Sequence, residues 1–467
     1  MQTLHSPAQA AQWLRQHVTG VLCTDSRRVQ MGDAFIAWPG AATDGRAYVK
    51  SALAQGAAAC LVEAQGSEAW TTEWHNTGHT QLATYSGLKA DTGWIADAYY
   101  EQPSQNLNVL AVTGTNGKTT ISQWLSQALH SADEPCGVIG TLGAGLVNDL
   151  TMTGFTTPDA ARMQSLLKDI QKNGARSVAV EVSSHALDQG RVNGTHFDTV
   201  VITNLSQDHL DYHGDMKEYA AAKKKILDLP GVKYVVVNAD DSFGQECLQY
   251  LAKKMGDADI TVWAYATKSE NLLSLPCFAK QSFRKILATD LQMNDQGMKF
   301  QLIVDGEDAG LIQTRMVGAF NVSNALAVLA CLLAGGKTIK SAKNSIEALQ
   351  AVQGRMELVA RASAQQPMAV IDFAHTPDAL EQVLKTLRDI AKQRAGQLWC
   401  VFGCGGDRDK AKRPQMAAIA CEMSDKVILT SDNPRSEDPA VILDEMMAGM
   451  TGLDTLVQIK KIKPSIP

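Results

Sequence analysis

The 467-residue sequence has no long run of hydrophobic residues and no long run of charge of either sign. Its longest apolar stretch, ALAVLACLLAGG at 325–336, is too short to span a bilayer and predicts a buried helix. The N-terminal stretch MQTLHSPAQAAQWLRQ lacks the basic segment, followed by an apolar one, that marks a signal peptide. We therefore expect a cytoplasmic protein that is not inserted in a membrane.

Two further absences narrow the class of protein. The net charge is −6 without a basic cluster, which argues against a nucleic-acid partner. Nine cysteines are scattered along the chain without matched Cys-x-x-Cys pairs, so neither a zinc site nor a disulfide framework is indicated. The remaining composition, 45% hydrophobic and 20% charged, is typical of a globular protein with several sizeable cores.

The length suggests about three domains, at roughly 150 residues each. Short apolar runs at 34–38 and 57–63, with helical patches between them, predict a small α/β domain at the N-terminus. A polar stretch at 99–108 and a Gly-Gly-Lys stretch at 335–340 suggest two boundaries. We expect domains at 1–105, 106–337 and 338–467.

Strand-like and helical patterns alternate through the second predicted domain. The runs VLAV (109–112), SVAVEV (177–182), TVVITN (199–204) and YVVVN (234–238) indicate a mostly parallel sheet covered by helices. The segment around 261–315 is more typical of antiparallel strands. Three further strands, each ending in Gly, Pro or Asp turn residues, follow near the C-terminus: MAVIDFA, QLWCVFGCGG and KVILTSDNP.

The stretch AVTGTNGKTT (111–120) follows a strand and precedes a helix, which is the setting of a phosphate-binding loop. Backbone N–H groups from Gly114 to Thr119 can converge on phosphate oxygens. Lys118 can reach a terminal phosphate, and the Thr119 hydroxyl can bind Mg²⁺. The general pattern would place glycine where this chain has Val112, and a Gly-rich turn with a surface lysine is the alternative. The agreement of strand, loop and helix favours a nucleoside triphosphate.

Further candidate ligands follow the next two strands. Glu181 ends one strand, and a carboxylate suits Mg²⁺, although an ordinary strand-end acid is the alternative. His209 follows the next strand, where a lone histidine is more often satisfied by packing. Because carboxyl ends of parallel strands share one edge, we expect these groups to lie near Lys118 and Thr119. Considered alone, the stretch YAAAKKKIL (219–227) predicts an exposed helix whose three lysines face solvent.

The stretch SDNPRSEDP (431–439) places Arg435 where a strand ends in turn residues. A guanidinium at that position could hold a carboxylate with two parallel hydrogen bonds. The alternative is that Arg435 pairs with Glu437 or Asp438 on the surface. These nine residues alone favour the alternative.

Together these stretches resemble the Mur ligase family of peptidoglycan synthesis. The matching stretches run in family order from about residue 20 to about residue 440. The resemblance implies an α/β fold in three domains: a small N-terminal α/β domain for the UDP-sugar, a central P-loop ATPase with a mostly parallel sheet, and a C-terminal Rossmann-like domain. The stretches are TDSR, GTNGKTT, TTPD, EVSSHALDQGRV, NLSQDHLDYHGDMKEYAAAK, GAFNVSNALA, GRME, DFAHTPDAL, FGCGGDRDKAKRP and DNPR.

The resemblance also implies a reaction, with ATP and Mg²⁺ as cofactors. The side carboxylate of D-Glu in UDP-MurNAc-L-Ala-D-Glu would attack the γ-phosphate and give an acyl-phosphate and ADP. The amine of meso-diaminopimelate would then displace phosphate and form the amide. We expect these small molecules to be the only partners and the protein to be a monomer.

Site residues follow from the resemblance position by position. Catalytic roles are implied for Lys118, Glu181, His209 and Lys223. The implied metal ligands are Thr119, Glu181, His209 and Lys223, the lysine being carbamylated. ATP contacts are implied for Gly114, Thr115, Asn116, Gly117, Lys118, Thr119, Thr120, Asn321, Arg355 and Asp372, with His375 in the same loop as Asp372.

Two substrate sites are implied in the same way. The UDP-MurNAc-dipeptide would be bound by Ser26, Ala41, Ala42, Thr43, Thr156, Thr157, Ser183, Gln189 and Arg191. Diaminopimelate would be bound by Arg408, Asp432, Asn433, Pro434 and Arg435. Family members that take L-lysine generally lack this last arginine, because a lysine ammonium should not face a guanidinium.

The family pattern continues past DNPR with further strands and a Gly-Lys-Gly-His-Glu turn, which these 467 residues lack. We therefore expect an altered C-terminal domain that is missing part of its sheet and half of its amino-acid site. Three alternatives follow for the function. They are a related Mur or folylpolyglutamate-type ligase with another amino acid, a catalytically impaired ATP-binding homologue, and a P-loop kinase.

Overall fold

The structure is a computed structural model that describes residues 1–40, 43–75, 81–132, 134–147, 149–254, 260–275, 283–294, 297–359 and 366–448. The chain forms two compact units. The first unit consists of Met1–Thr113, Leu125–Val201 and Ala222–Tyr234. The second consists of Gly114–Trp124, Ile202–Ala221 and the described residues of Val235–Pro467. Because both units combine distant segments, the three predicted domain ranges stay a prediction.

The N-terminal part of the first unit is a parallel sheet with strand order β1-β5-β4-β3-β2. The predicted strands at 34–38 and 57–63 are confirmed as β3 and β4. Helix α1 begins where the Ser6 hydroxyl accepts a hydrogen bond from the Gln9 N–H, with Pro7 at its first position. The elements are β1 (Gln2–Leu4), α1 (Pro7–His17), β2 (Leu22–Cys23), β3 (Ala34–Ala37), α2 (Val49–Ala54), β4 (Ala59–Glu63), α3 (Glu68–His75), β5 (Leu82–Tyr85) and α4 (Leu88–Tyr99).

The chain continues through β6 (Asn108–Thr113), α5 (Lys118–His130), β7 (Cys136–Gly140), β8 (Gly143–Leu146), β9 (Asp149–Thr151), α6 (Ala160–Lys172), β10 (Ser177–Glu181), α7 (Ser184–Asp188) and β11 (Thr199–Ile202). These strands lie in the order β11-β6-β10-β7-β8-β9. Strand β10 is parallel to both β6 and β7, and all its residues are buried. Such burial on both faces explains why it reads as a nearly continuous apolar run.

The next elements are α8 (Leu210–His213), α9 (Met216–Lys224), β12 (Tyr234–Asn238), α10 (Ser242–Lys254), β13 (Thr261–Ala266), α11 (Ser269–Leu273), β14 (Phe283–Asn294), β15 (Gly297–Val304), β16 (Glu307–Thr314), α12 (Ala319–Ala334) and α13 (Ile339–Glu347). Strands β14, β15 and β16 pair antiparallel, as predicted for the segment around 261–315. The prediction is wrong for β13 at the start of that segment, because β13 pairs parallel with β14. Helix α12 contains most of the long apolar run and is almost wholly buried, which confirms that prediction.

The remaining described elements are β17 (Glu357–Leu358), β18 (Val370–Ile371), α14 (Pro377–Gln393), β19 (Trp399–Phe402), α15 (Lys412–Met423), β20 (Lys426–Leu429) and α16 (Pro439–Met447). Strands β19 and β20 are parallel, and Leu384, Met416 and Met446 belong to one core beside them. The predicted altered end at 449–467 lies outside the described residues. Within the described ranges, none of the helices combines the length and apolarity that crossing a membrane requires.

The position of Gly93 on α4 tests the packing inside the first unit. A Cβ at Gly93 would lie 2.0 Å from the Asn193 carbonyl oxygen, which is far inside contact distance. We expect Gly93→Ala to lower the free energy of unfolding, because a clash of about 1–3 kcal/mol outweighs the roughly 1 kcal/mol that alanine adds to a helix. Urea unfolding measures the change. Lys89→Ala, at an exposed position on α4, is the control, and a stabilised Gly93→Ala would contradict this packing.

Candidate active site

The loop between β6 and α5 is a tight turn that requires glycine at two positions. Gly114 has φ +151° and Gly117 has φ +88°, both in the region that favours glycine. A Cβ at Gly114 would lie 1.8 Å from the Thr203 hydroxyl oxygen, and one at Gly117 would lie 2.7 Å from Asn324 Oδ1. Since neither position leaves room for a side chain, the loop presents bare backbone at the start of α5. This arrangement suits close approach of a phosphate.

Hydrogen bonds to the segment after β11 fix the conformation of this loop. The Thr115 N–H donates to the Asn204 carbonyl at 2.9 Å, and the Asn116 N–H donates to Asn204 Oδ1 at 2.8 Å. The Thr203 hydroxyl donates to the Asn116 carbonyl at 2.6 Å, and the Thr115 hydroxyl donates to the Ser206 carbonyl at 3.1 Å. The loop therefore has a preorganised shape, which lowers the cost of ordering it around a nucleotide.

Several residues predicted to bind ATP meet at the start of α5. The Lys118 ammonium donates to the carbonyls of Gly114 and Thr115 at 2.8 and 2.9 Å, so its charge lies over the loop. Arg355 Nη2 donates to the Thr119 hydroxyl at 3.2 Å. The structure thus places two cations and one hydroxyl around the loop.

Asn321 and Asp372, also predicted to bind ATP, make hydrogen bonds to residues next to the phosphate-binding loop and next to Arg355. Asn321 accepts a hydrogen bond from Asn324 Nδ2 at 3.1 Å, and Asn324 is the side chain that faces Gly117. Asp372 accepts from the N–H groups of Met356 and Ala374, both at 2.8 Å. Burial raises the pKa of Asp372 above its ordinary value. In this structure Asp372 therefore orders the backbone next to Arg355.

A buried carboxylate, Asp208, lies close to two histidines and a lysine of the second unit. Its oxygens lie 3.4 Å from His209 Nε2, 3.4 Å from Lys412 Nζ and 3.8 Å from His375 Nε2. Burial would raise the pKa of Asp208, but the charges of His209, Lys412, His375 and Lys118 outweigh it and lower that pKa. The sequence reasoning did not identify Asp208 or Lys412. Their only signal was their position inside two of the matching stretches, QDHLDYH and DKAKRP.

The backbone of His209 is strained, with φ +56° in the left-handed region. Its N–H donates to Asp208 Oδ1 at 3.0 Å, and its ring lies edge-on to Tyr219 with centroids 6.1 Å apart. The Tyr219 hydroxyl lies 3.1 Å from the Thr115 hydroxyl. Tyr219 therefore links the His209 segment to the phosphate-binding loop within the second unit.

In the first unit, Glu181 is fully buried at the end of β10. Its Oε1 accepts from the Thr141 N–H at 2.9 Å and its Oε2 from the Thr141 hydroxyl at 3.1 Å. Thr141 thus orients both oxygens of the Glu181 carboxylate. Across the described ranges, no three His, Cys, Asp or Glu side chains form a metal cage.

The residues predicted to bind the peptide part of the UDP-sugar substrate cluster near Glu181. The Thr157 hydroxyl donates to the Glu181 carbonyl at 2.7 Å and accepts from the Ser183 N–H at 3.0 Å. Arg191 donates from Nη1 to the Thr157 carbonyl at 3.1 Å, and from Nε and Nη2 to Gln189 Oε1. The cluster combines hydroxyls, an amide and a guanidinium, which suits an anionic peptide.

The remaining predicted substrate contacts lie elsewhere or outside the described residues. Thr156 lies 3.1 Å, hydroxyl to hydroxyl, from Thr141. Ser26 is buried in the N-terminal part, and the Thr43 carbonyl accepts from the Gly40 N–H at 2.9 Å. Ala41 and Ala42 are not among the described residues, so their predicted role stays a prediction.

The burial of Lys223 corrects one interpretation of the sequence. The helix at 219–227 was expected to expose all three lysines, but Lys223 is only 1% exposed. Lys224 is half-buried, and Lys225 is exposed and pairs with Asp188 at 2.8 Å. Lys223 therefore differs in burial from its two neighbours.

The second correction concerns Arg435. The surface alternative paired it with Glu437 or Asp438, but Glu437 is bound by Arg413 and Lys410, and Asp438 caps α16 by accepting from the Ala440 N–H. Arg435 instead donates from Nη1 to the Gly406 carbonyl at 2.5 Å. Its side chain is exposed and forms no ion pair within the described part of the chain.

The two loops that carry the predicted diaminopimelate contacts touch directly. The Gly406 N–H donates to the Asn433 carbonyl at 2.9 Å, and a Cβ at Gly406 would lie 1.9 Å from the Pro434 carbonyl oxygen. Asp432 lies beside Gly403, whose Cβ would approach its side chain to 3.0 Å. Arg408 is exposed one residue beyond Asp407, to whose carbonyl it donates at 3.2 Å. Both predicted arginines thus belong to one surface region.

Comparison with known proteins identifies the class. The description "Mur ligase middle domain" matches residues 112–332, "Mur ligase, glutamate ligase domain" matches 354–464, and "Mur ligase family, catalytic domain" matches 17–85. The chain belongs to the Mur ligase family, whose members are ATP-dependent ligases that form amide bonds. The fold class and the family expected from the sequence are thereby confirmed.

Two similar relatives have the same name. The chain is 43% identical over 443 residues to the UDP-N-acetylmuramoyl-L-alanyl-D-glutamate–2,6-diaminopimelate ligase of Janthinobacterium sp., with 94% of this chain and 84% of the relative covered. The Pseudomonas aeruginosa ligase of that name is 41% identical, covering 93% and 83%.

Solved structures agree with this grouping. A structure of a ligase of the same name matches with 33% identity and a TM-score of 0.64, covering 94% of this chain and 84% of that one. MurF from Acinetobacter baumannii matches with 20% identity and a TM-score of 0.66, covering 96% and 89%. The second likeness shows a shared fold alone.

Two glycines on β7 allow a test of Glu181. A Cβ at Gly140 would lie 2.2 Å from Glu181 Oε1, whereas one at Gly137 would meet an Ile170 methyl at 2.6 Å. We expect both alanine variants to lose stability, but only Gly140→Ala to displace the carboxylate. Gly140→Ala should raise the Mg²⁺ concentration for half-maximal phosphate release from ATP by about tenfold. An equal Mg²⁺ requirement in the two variants would contradict a metal role for Glu181.

Proposed function

We propose that this chain joins meso-diaminopimelate to UDP-MurNAc-L-Ala-D-Glu, with ATP converted to ADP and phosphate. The observation that carries the proposal is the match over more than nine-tenths of the chain to ligases of that name. The exposed Arg435 supports it, because no acidic side chain within the described residues occupies its guanidinium. That group is suited to the second carboxylate of diaminopimelate.

In the first step, the D-Glu carboxylate attacks the γ-phosphorus, the bond to the ADP oxygen breaks, and an acyl-phosphate forms. Backbone N–H groups from Gly114 to Thr119 and the Lys118 ammonium bind the phosphate oxygens and neutralise the charge that moves to ADP. Arg355 holds Thr119 in place and adds a further positive charge. Mg²⁺, when bound by Thr119 and Glu181, would add charge neutralisation to the same step.

In the second step, the amine of diaminopimelate attacks the acyl carbon and phosphate leaves with its bonding electrons. Thr157, Ser183, Gln189 and Arg191 would hold the peptide so that its carboxyl group stays in place. Arg408 and Arg435 would bind the distal carboxylate of the incoming amino acid. They would also repel the distal ammonium of L-lysine, so the selectivity has an attractive and a repulsive part.

Lys223 and His209 are proposed to hold a second Mg²⁺, with Lys223 as a carbamate. The neutral amine adds CO₂, forms an N–C bond and releases a proton, which replaces a buried cation with an anionic oxygen ligand. The burial of Lys223 supports this proposal, because it sets this lysine apart from Lys224 and Lys225, which are half-buried and exposed.

Carbamylation can be tested directly. We expect a carbamate carbon signal by NMR when the protein is equilibrated with ¹³C-bicarbonate. The signal should vanish in Lys223→Ala and persist in Lys224→Ala, the half-buried neighbour. Lys223→Ala should also lower ligation by about 10²-fold, as expected when a metal ligand is lost. A spectrum that Lys223→Ala leaves unchanged would exclude the modification.

The proposed substrate is tested by phosphate release from ATP with the UDP-MurNAc-dipeptide and either meso-diaminopimelate or L-lysine. We expect release and a product of tripeptide mass with diaminopimelate, and a kcat/KM for L-lysine at least about 10²-fold lower. Arg435→Ala should lower kcat/KM for diaminopimelate. The ratio of kcat/KM for diaminopimelate to kcat/KM for L-lysine should therefore decrease. Arg394→Ala, at an exposed position at the end of α14, is the control.

The alternatives give different results in the same assay. Preference for L-lysine would indicate a related ligase with another amino acid. Phosphate transfer that needs no amine would indicate a kinase. ATP binding without phosphate release in any mixture would indicate an impaired homologue.

A further inference from the structure

Arg413, in the first turn of α15, is a fully buried guanidinium between two glutamates. It donates to both oxygens of Glu437, from Nη1 to Oε2 at 3.0 Å and from Nη2 to Oε1 at 2.8 Å. Nη1 also donates to Glu445 Oε2 at 2.5 Å, on α16. Glu437 belongs to the loop of Arg435, whereas Glu445 lies on α16, where it is also 3.8 Å from Lys410 Nζ.

Glu437 also binds the neighbouring loop that carries Arg408. It accepts from the Asp407 N–H at 2.5 Å and from Lys410 Nζ at 3.1 Å. The hydrogen bonds from Arg413 hold the pKa of Glu437 at about 2, so the carboxylate is charged at neutral pH. One carboxylate thus ties a buried arginine to both loops.

Both loops contain a residue whose backbone is strained. Asp407 has φ +51° and Arg435 has φ +49°, and neither is glycine. Such conformations persist only where surrounding contacts determine them. The Glu437 carboxylate supplies one contact at the Asp407 N–H, and the Ser436 hydroxyl adds another by donating to Asp407 Oδ1 at 2.7 Å. The conformations of Asp407 and Arg435 therefore depend on the contacts that Glu437 and Ser436 make with Asp407. These contacts form a bridge between the two loops.

We propose that Arg413 and Glu437 are positioning residues that set the spacing between Arg408 and Arg435, and thereby the preference for an amino acid with a distal carboxylate. This inference rests on the proposed function. Arg408 directly follows Asp407, and Arg435 is two residues from Glu437, so a shift of the bridge moves both guanidinium groups. Two separated guanidinium groups distinguish a distal carboxylate from a distal ammonium only at a defined spacing.

The test compares two glutamine variants that remove the two partners of Arg413. Glu437→Gln should raise KM for meso-diaminopimelate about tenfold and reduce its preference over L-lysine, while KM for ATP and for the dipeptide stays unchanged. Glu445→Gln is the matched control, because it also removes a carboxylate from Arg413. Glu445 lies 3.8 Å from Lys410 Nζ but, within the described residues, makes no hydrogen bond to Asp407 or to the Arg435 loop. This control variant should lower Tm to a similar extent and leave KM for diaminopimelate unchanged.

A further variant, Arg413→Lys, keeps the positive charge but cannot form the two parallel hydrogen bonds. It should raise KM for diaminopimelate less than Glu437→Gln does. If Glu437→Gln and Glu445→Gln show the same KM for diaminopimelate in an otherwise active protein, the positioning role is wrong. If the wild-type chain releases no phosphate with diaminopimelate, the proposed function fails first and this inference fails with it.

Discussion

A buried carboxylate needs compensating partners, and Asp208, in the second unit, has them from three segments of the chain. His209 follows it directly, His375 belongs to the loop after β18, and Lys412 begins α15. A second link, from Asn116 to Asp378 at 3.1 Å, ties the phosphate-binding loop to the start of α14. Within the second unit, the contacts of Asp208 and the Asn116–Asp378 hydrogen bond therefore connect the phosphate-binding loop and the His209 segment to the segments that lead to the diaminopimelate loops.

The elements that the sequence predicted well are those with a local cause. The strand SVAVEV is apolar throughout because both faces of β10 are covered, and the predicted strand YVVVN (234–238) coincides with β12. The phosphate-binding loop could be predicted because Gly114 and Gly117 adopt positive φ, which favours glycine, in a short loop between a strand and a helix. Part of the candidate site could thus be predicted from residue type and spacing.

The features that the sequence did not predict depend on distant residues. The lysines at 223 to 225 look alike in sequence, and only the packing around α9 shows that Lys223 is buried. Glu437 is two residues from Arg435, yet its partner is Arg413, 24 residues away. Pairing by proximity in sequence was wrong there because a buried guanidinium needs a carboxylate more than an exposed one does. The burial of Lys223 and the partner of Glu437 are therefore determined by tertiary structure.

The central claim is that the chain activates a carboxylate as an acyl-phosphate. The most direct measurement uses UDP-MurNAc-dipeptide labelled with ¹⁸O in the D-Glu side carboxylate and follows the label by mass spectrometry during turnover with ATP and meso-diaminopimelate. We expect one ¹⁸O atom in each phosphate released, because the carboxylate oxygen that attacks phosphorus leaves with it. Unlabelled phosphate, formed by attack of water on ATP, would contradict the account.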